Sequence, residues 1–234
     1  MQEPIIKFDD VSFKRGEETI FQNISFACYP NETFAIVGID GCGKGAILKA
    51  IVGLLYGYTG QITVLGKNLR TSPYLEVQDL KKRIGYIFEE FALINNLSAF
   101  ENIALPLRYH TKWSESKIQE EVTTIIKLLD IEKYKDLRPS FLNATTRKLV
   151  GLGRAIILKP EILIFDKINI SLNLYYLEFI LELVTNYEKE TNGTIIYTTD
   201  DLSFAKNHAD KILIIHDHKT LIMGSKLEVE KFNN

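Results

Sequence analysis

An α/β fold built on a parallel sheet covered on both faces is what this sequence predicts, and three observations predict it. Short, almost wholly apolar runs, Ile162-Leu163-Ile164-Phe165 above all, read as strands buried on both sides. Helical patterns alternate with such runs through the last third of the chain. A glycine-rich turn joins one apolar run to a helix that opens at Lys44.

Taken in order, residues 5–8, 20–26 and 33–37 read as strands, with Gly16 and Pro30-Asn31 as the turn residues between them. A helix is expected over residues 44–55, a strand over 61–65, and another over 84–88 after Lys82. The middle third is helical. Within residues 114–130, Ile118, Val122, Ile125, Ile126 and Leu129 share one helical face, with Ser114 or Ser116 as N-cap. A further helix over 143–158 stops before Pro160. Strand, helix, strand, helix and strand then follow at 162–165, 174–190, 194–199, 202–209 and 212–216. Tyr175, Tyr176 and Phe179 are expected in the core. The expected organisation is one domain over residues 1–234, with an N-terminal antiparallel β lobe and a helical insertion at about residues 90–152.

The chain has 234 residues, 46% hydrophobic and 25% charged, which suffices to bury a core. Twenty-eight basic against 30 acidic residues give a net charge of −2, so nucleic acid is not expected as the main partner. No run approaches the ~18 apolar residues of a spanning helix. Residues 1–7 do not lead into a secretory signal. Cys28 and Cys42 have neither metal-ligand nor redox spacing, as befits a reducing compartment. His110, His208, His216 and His218 share no metal spacing either.

Gly38-Ile39-Asp40-Gly41-Cys42-Gly43-Lys44-Gly45 follows a strand and opens a helix, the setting a phosphate loop requires. Glycines let successive N–H groups converge on phosphate oxygens, the helix N-terminus adds positive potential, and Lys44 can reach the outer phosphates. The last position should carry a hydroxyl for Mg²⁺, yet Gly45 stands there, followed by Ala46. ATP is the candidate ligand, although these residues do not require it; Mg²⁺ is expected to be held weakly or not at all. A helix N-terminus beside Lys44 could activate Cys42, and its plainer role is that of a small loop residue.

From the phosphate loop outward, the chain resembles the ATP-binding subunits of ABC transporters along its whole length. Within that superfamily it is most similar to the ATPases of Mla-type phospholipid transporters. The resemblance is carried by Val11-Ser12-Phe13-Lys14-Arg15-Gly16, Ile20-Phe21-Gln22-Asn23-Ile24-Ser25 and Asn102-Ile103-Ala104-Leu105-Pro106-Leu107-Arg108. It implies a RecA-like P-loop NTPase core. It also implies that Asp166, closing the Walker B strand, holds Mg²⁺ through water, and that an adenine platform lies near Arg15. Where the family has its catalytic Glu, this chain has Lys167. The Q-loop Gln is Glu89, and the switch His is Asp200. The signature Leu-Ser-Gly-Gly-Gln reads Leu142-Asn143-Ala144-Thr145-Thr146, and the loop after Walker B ends Ser171-Leu172-Asn173. A lysine is cationic at neutral pH and is no general base toward water.

Three readings follow. The chain is an active ATPase driving transport, or a subunit whose hydrolysis is impaired or absent, or a soluble ABC protein outside transport. The second is favoured. It implies a homodimer, or a heterodimer with another ABC subunit, beneath an integral-membrane permease. That places the chain in the cytoplasm, peripheral to the inner face of the cell membrane. Because the family's acid and base have exchanged sign at Lys167 and Asp200, these two are expected to pair within ~4 Å, with Asp166 and Glu89 as the other candidate partners.

Overall fold

A computed structural model, which describes residues 2–89, 92–168, 174–225 and 227–229, contains two sheets. The first is antiparallel. Strands β1 (Ile6–Arg15) and β2 (Glu18–Cys28) pair along most of their length, running past the short segments expected from the sequence. Across the second sheet, β3 (Thr33–Val37) leads into helix α1 (Lys44–Ile51). The chain then returns to the first sheet with β4 (Thr59–Val64) and the two-residue β5 (Lys67–Asn68), giving the order β2-β1-β4-β5.

Helix α2 (Tyr74–Lys81) precedes β6 (Ile84–Ile87), and three helices follow: α3 (Ala99–His110), α4 (Glu115–Leu128) and α5 (Ala144–Ile156). Ser98 and Glu101 close a reciprocal capping box on α3. Ser114 caps α4, and Ile118, Val122 and Ile126 are its buried face. The remainder alternates as the sequence predicts: β7 (Ile162–Phe165), α6 (Leu174–Thr191), β8 (Thr194–Thr199), α7 (Leu202–His208), β9 (Lys211–His216) and β10 (Lys219–Ser225). The second sheet runs β10-β9-β3-β8-β7-β6, parallel throughout except for the edge strand β10.

Alternation along the central strands divides their side chains between two cores. Phe34, Ile36, Ile162, Ile164 and Ile196 face α1 and the antiparallel sheet. Ala35, Val37, Leu163, Phe165, Ile195 and Tyr197 lie on the opposite face, in one core with the buried residues of α3, α4, α5, α6 and α7. Both sides of these strands are dry, which explains their unbroken apolar sequence. One expectation fails here. Tyr176 and Phe179 pack against the core, but Tyr175 is 72% exposed, because it falls on the outer face of α6. Among the described residues no helix is long and apolar enough to cross a membrane.

Candidate functional site

The phosphate loop leaves the C-terminal end of β3, which lies between β8 and β9. Gly43 caps α1 with φ of 101°, and a Cβ there would stand 2.5 Å from the Ile20 carbonyl oxygen. A Cβ on Gly38 would meet Cys42 Sγ at 2.6 Å. The tight curl therefore needs glycine at both positions. The cap of α1 makes no side-chain hydrogen bond, and no acidic residue occupies the first turn. Its leading N–H groups are thus available to an anion. Lys44, 5% exposed, folds into the curl and donates to the carbonyls of Gly38 (2.5 Å) and Ile39 (2.8 Å).

Asp166 follows β7 and is held from both neighbouring strands. Thr198 Oγ1 donates to Asp166 Oδ1 at 3.0 Å, and the Tyr86 hydroxyl donates to Oδ2 at 3.3 Å. Burial pushes the Tyr86 phenol far up, and the Asp166 charge adds to it. A Cβ on Gly45 would lie 3.5 Å from Asp166 Oδ2. Residue 45, where a hydroxyl is expected, therefore faces the Asp166 carboxylate.

Lys167 has a left-handed backbone, φ 53°, held at both its polar groups. Its N–H donates to Thr198 Oγ1 at 2.8 Å, and its carbonyl accepts from Lys148 Nζ at 3.1 Å. The side chain crosses the phosphate loop, where the ammonium meets Glu89 Oε1 at 2.8 Å and Asp40 Oδ1 at 3.1 Å. Hydrogen bonding to Glu89, and after it to Asp40, raises the ammonium's pKa despite some desolvation. The expected pairing thus holds for Glu89, with a partner in Asp40 that the sequence reading did not name. It fails for the first choice, Asp200. That residue is exposed beyond the end of β8, and the left-handed turn at Lys167 sends the side chain over the phosphate loop instead.

A cavity of about 520 Å³ brings Arg15, Asp40, Gly41, Gly43, Lys44, Gly45, Ala46, Glu89, Asp166 and Lys167 together, with Glu18, Ile20, Lys49 and Leu55 completing the wall. Asp200 does not line it. Gly38 and Cys42, also expected to touch the ligand, lie behind the wall: Gly38 lends its carbonyl to Lys44, and Cys42 is buried.

In the segment expected to be the signature, Asn143 caps α5: its Oδ1 accepts from Thr146 N at 2.8 Å. Farther along α5, Lys148 is 2% exposed and donates to the carbonyls of Lys167 and Ile168, the latter at 2.9 Å. Burial lowers its ammonium pKa to about 8. Tyr86, Thr198 and Lys148 escaped the sequence reading. The signal for Lys148 is a charge set in the apolar run Lys148-Leu149-Val150. Ser171, Leu172 and Asn173 lie outside the described residues. Among those described, no group of three or more His, Cys, Asp or Glu side chains could hold a metal ion.

Comparison with known proteins agrees with this geometry. The family model for ABC transporter matches residues 21–168. The methionine import ATP-binding protein MetN of Chlamydia pneumoniae is 30% identical over 229 residues, covering 97% of this chain and 67% of that protein. The intermembrane phospholipid transport system ATP-binding protein MlaF of Haemophilus influenzae is 29% identical over 225 residues, covering 96% and 85%. Among solved structures, the ATP-binding cassette MJ0796, a post-hydrolysis dimer bound to ADP and Pi, superposes with a TM-score of 0.87. It is 23% identical and is covered to 98%, against 94% of this chain. CbiO1 from Clostridium perfringens gives 0.85 at 22% identity, covering 99% and 92%.

Proposed function

The chain belongs to the ABC transporter family of ATP-binding domains, as a nucleotide-binding subunit, and we propose that its hydrolysis is impaired or absent. One observation carries this reading. At the position of the family's catalytic Glu stands a lysine whose ammonium is ion-paired to Glu89 and Asp40 inside the phosphate cavity. Such a group accepts no proton from water.

Hydrolysis also needs stabilisation of the charge that builds on the transferred phosphoryl group. Gly45 offers no hydroxyl, Asp200 stands outside the cavity, and Glu89 replaces a neutral amide with a carboxylate. Each preorganised contact of this kind is worth about 3 kcal/mol in a transition state, so losing several removes most of the rate. What persists is the means of holding a nucleotide. The loop amides, Lys44 and the α1 N-terminus fit the phosphates, and Arg15 at the cavity wall can stack on a base. Mg²⁺ fits poorly. Asp166 already accepts hydrogen bonds from two hydroxyls, residue 45 has no side-chain oxygen to add, and an ammonium occupies the wall.

The chain would act as a homodimer, or as a heterodimer with another ABC subunit, beneath a permease that holds it at the inner face of the membrane. The two relatives named above serve methionine import and phospholipid transport. A lipid-related role is supported by the likeness of residues 11–16, 20–25 and 102–108 to the ATPases of Mla-type phospholipid transporters, with MlaF 29% identical over 225 residues. The decisive experiment is phosphate release by the purified chain with ATP and Mg²⁺. We expect none above background; a Mg²⁺-dependent turnover that Lys44→Ala removes would overturn the reading.

A further inference from the structure

We propose that this pocket takes a nucleoside triphosphate without a metal ion, with the Lys167 ammonium as the counter-charge of the terminal phosphate. The inference rests on the pocket being a nucleotide site and deepens it, by naming the ionic form of the ligand and the side chain that selects it.

The first argument is one of charge. A metal-free triphosphate brings several negative charges into a cavity whose carboxylates are Asp40, Glu89, Asp166 and Glu18, and whose cations are Arg15, Lys44, Lys49 and Lys167. Binding then requires that these be neutralised and that a cation remain for the phosphates. Asp166 is already hydrogen-bonded by Thr198 and Tyr86. Lys167 is ion-paired to Asp40 and Glu89, and is the cation those two can release.

The second argument is positional. The Lys167 backbone is fixed by Thr198 on one side and Lys148 on the other, so the side chain starts from a defined point at the cavity wall. Its partners are less constrained: the Asp40 side chain is 71% exposed and that of Glu89 43%. Surface ion pairs of this kind are worth about 1 kcal/mol or less, and carboxylates released from them are solvated by water. A phosphate oxygen at the cavity centre, charged and already anchored by Lys44 and the loop amides, is the stronger partner. Arrival of the triphosphate therefore breaks two weak pairs, forms a stronger one, and leaves no vacancy for a divalent ion.

The third argument is discrimination. A diphosphate anchored on the same loop amides ends short of the site's third phosphate position. Lys167 is then free to stay with Glu89 and Asp40, and it adds nothing to binding. Preference for triphosphate over diphosphate would thus be a property of this one side chain.

Calorimetric titration of the full chain with ATP and with ADP, in EDTA and in Mg²⁺, tests the proposal. We expect ATP affinity to differ by less than about threefold between EDTA and Mg²⁺. Lys167→Met should weaken ATP by about tenfold in EDTA and leave ADP nearly unchanged, while Lys167→Arg retains most of the ATP affinity. Asp40→Asn combined with Glu89→Gln should tighten ATP severalfold by removing the competing carboxylates. Thermal melts establish that each variant is folded. An increase beyond tenfold in ATP affinity on adding Mg²⁺ would overturn the proposal. So would unchanged ATP affinity in folded Lys167→Met, while Lys44→Ala still abolishes binding. Both of these leave the nucleotide site standing. Failure of the wild-type chain to bind ATP in either condition would remove the site and the proposal together.

Discussion

Gly45 concentrates the chemistry of the site in a missing side chain. It occupies the first turn of α1 with ordinary helical space around it, its nearest neighbour being Asp166 Oδ2 at 3.5 Å from a hypothetical Cβ. Nothing steric demands glycine there, in contrast to Gly43, where the Ile20 carbonyl leaves no room. Replacing it by alanine reduces the freedom of the unfolded chain without strain in the folded one. Gly45→Ala should stabilise the protein by ~0.5–1 kcal/mol, read as a rise of about 1–4 °C in melting temperature. A fall would mean that the backbone at this turn is less regular than it stands here. That residue 45 brings no hydroxyl to the end of the phosphate loop was legible from sequence alone, because the flanking loop set the register. The partnership of Lys167 with Asp40 was not. It depends on a left-handed φ at a lysine, and no composition rule assigns such a conformation.

Helix α5 and strand β7 are tied by a buried lysine, and the tie has a pH signature. Burial holds the Lys148 ammonium at about 8, below its ordinary 10.5. The folded state therefore pays for the charge at neutral pH. Between pH 8 and 10.5 the folded protein releases this proton while the unfolded chain keeps it, so this group's contribution to stability rises with pH. Lys148→Met should abolish that rise. The stability of the wild type relative to the variant should increase by ~1–2 kcal/mol from pH 7.5 to 9.5, measured by urea unfolding at each pH. A difference independent of pH would contradict it.

At this scale the sequence was most informative where the physics is simplest. Strands β3, β7 and β8 were readable to the residue, because burial on two faces demands an apolar run. Helix α2 was not, since Leu80 is its one buried residue and no side chain caps its start. Strand β10 also escaped. The turn leading to it places Asp217 and His218 at φ 45° and 63°, a left-handed pair made without the glycine that usually announces a hairpin.

For the molecule as a whole, the surface of α3 is the one expected to meet a partner. Tyr109 at the end of α3 is exposed, and Arg108 forms a bidentate contact with Glu115 at the start of α4. We expect the surface over residues 89–108 to face the permease. Charge reversals across it should abolish co-purification with the membrane subunit while leaving the melting temperature within about 2 °C, because exposed charges contribute little to stability. Co-purification that survives them all would place the docking face elsewhere.

The two-sided keying of the central strands has a consequence for the residues at their ends. Sliding β7 or β8 by one residue would exchange the side chains belonging to two separate cores at once, so neither strand can creep. Asp166, Lys167 and Asp200 all stand just past the ends of those strands, on ground that does not shift when its occupant is replaced. Replacements at residues 166, 167 and 200 should therefore change what the site can do without moving the scaffold that carries it.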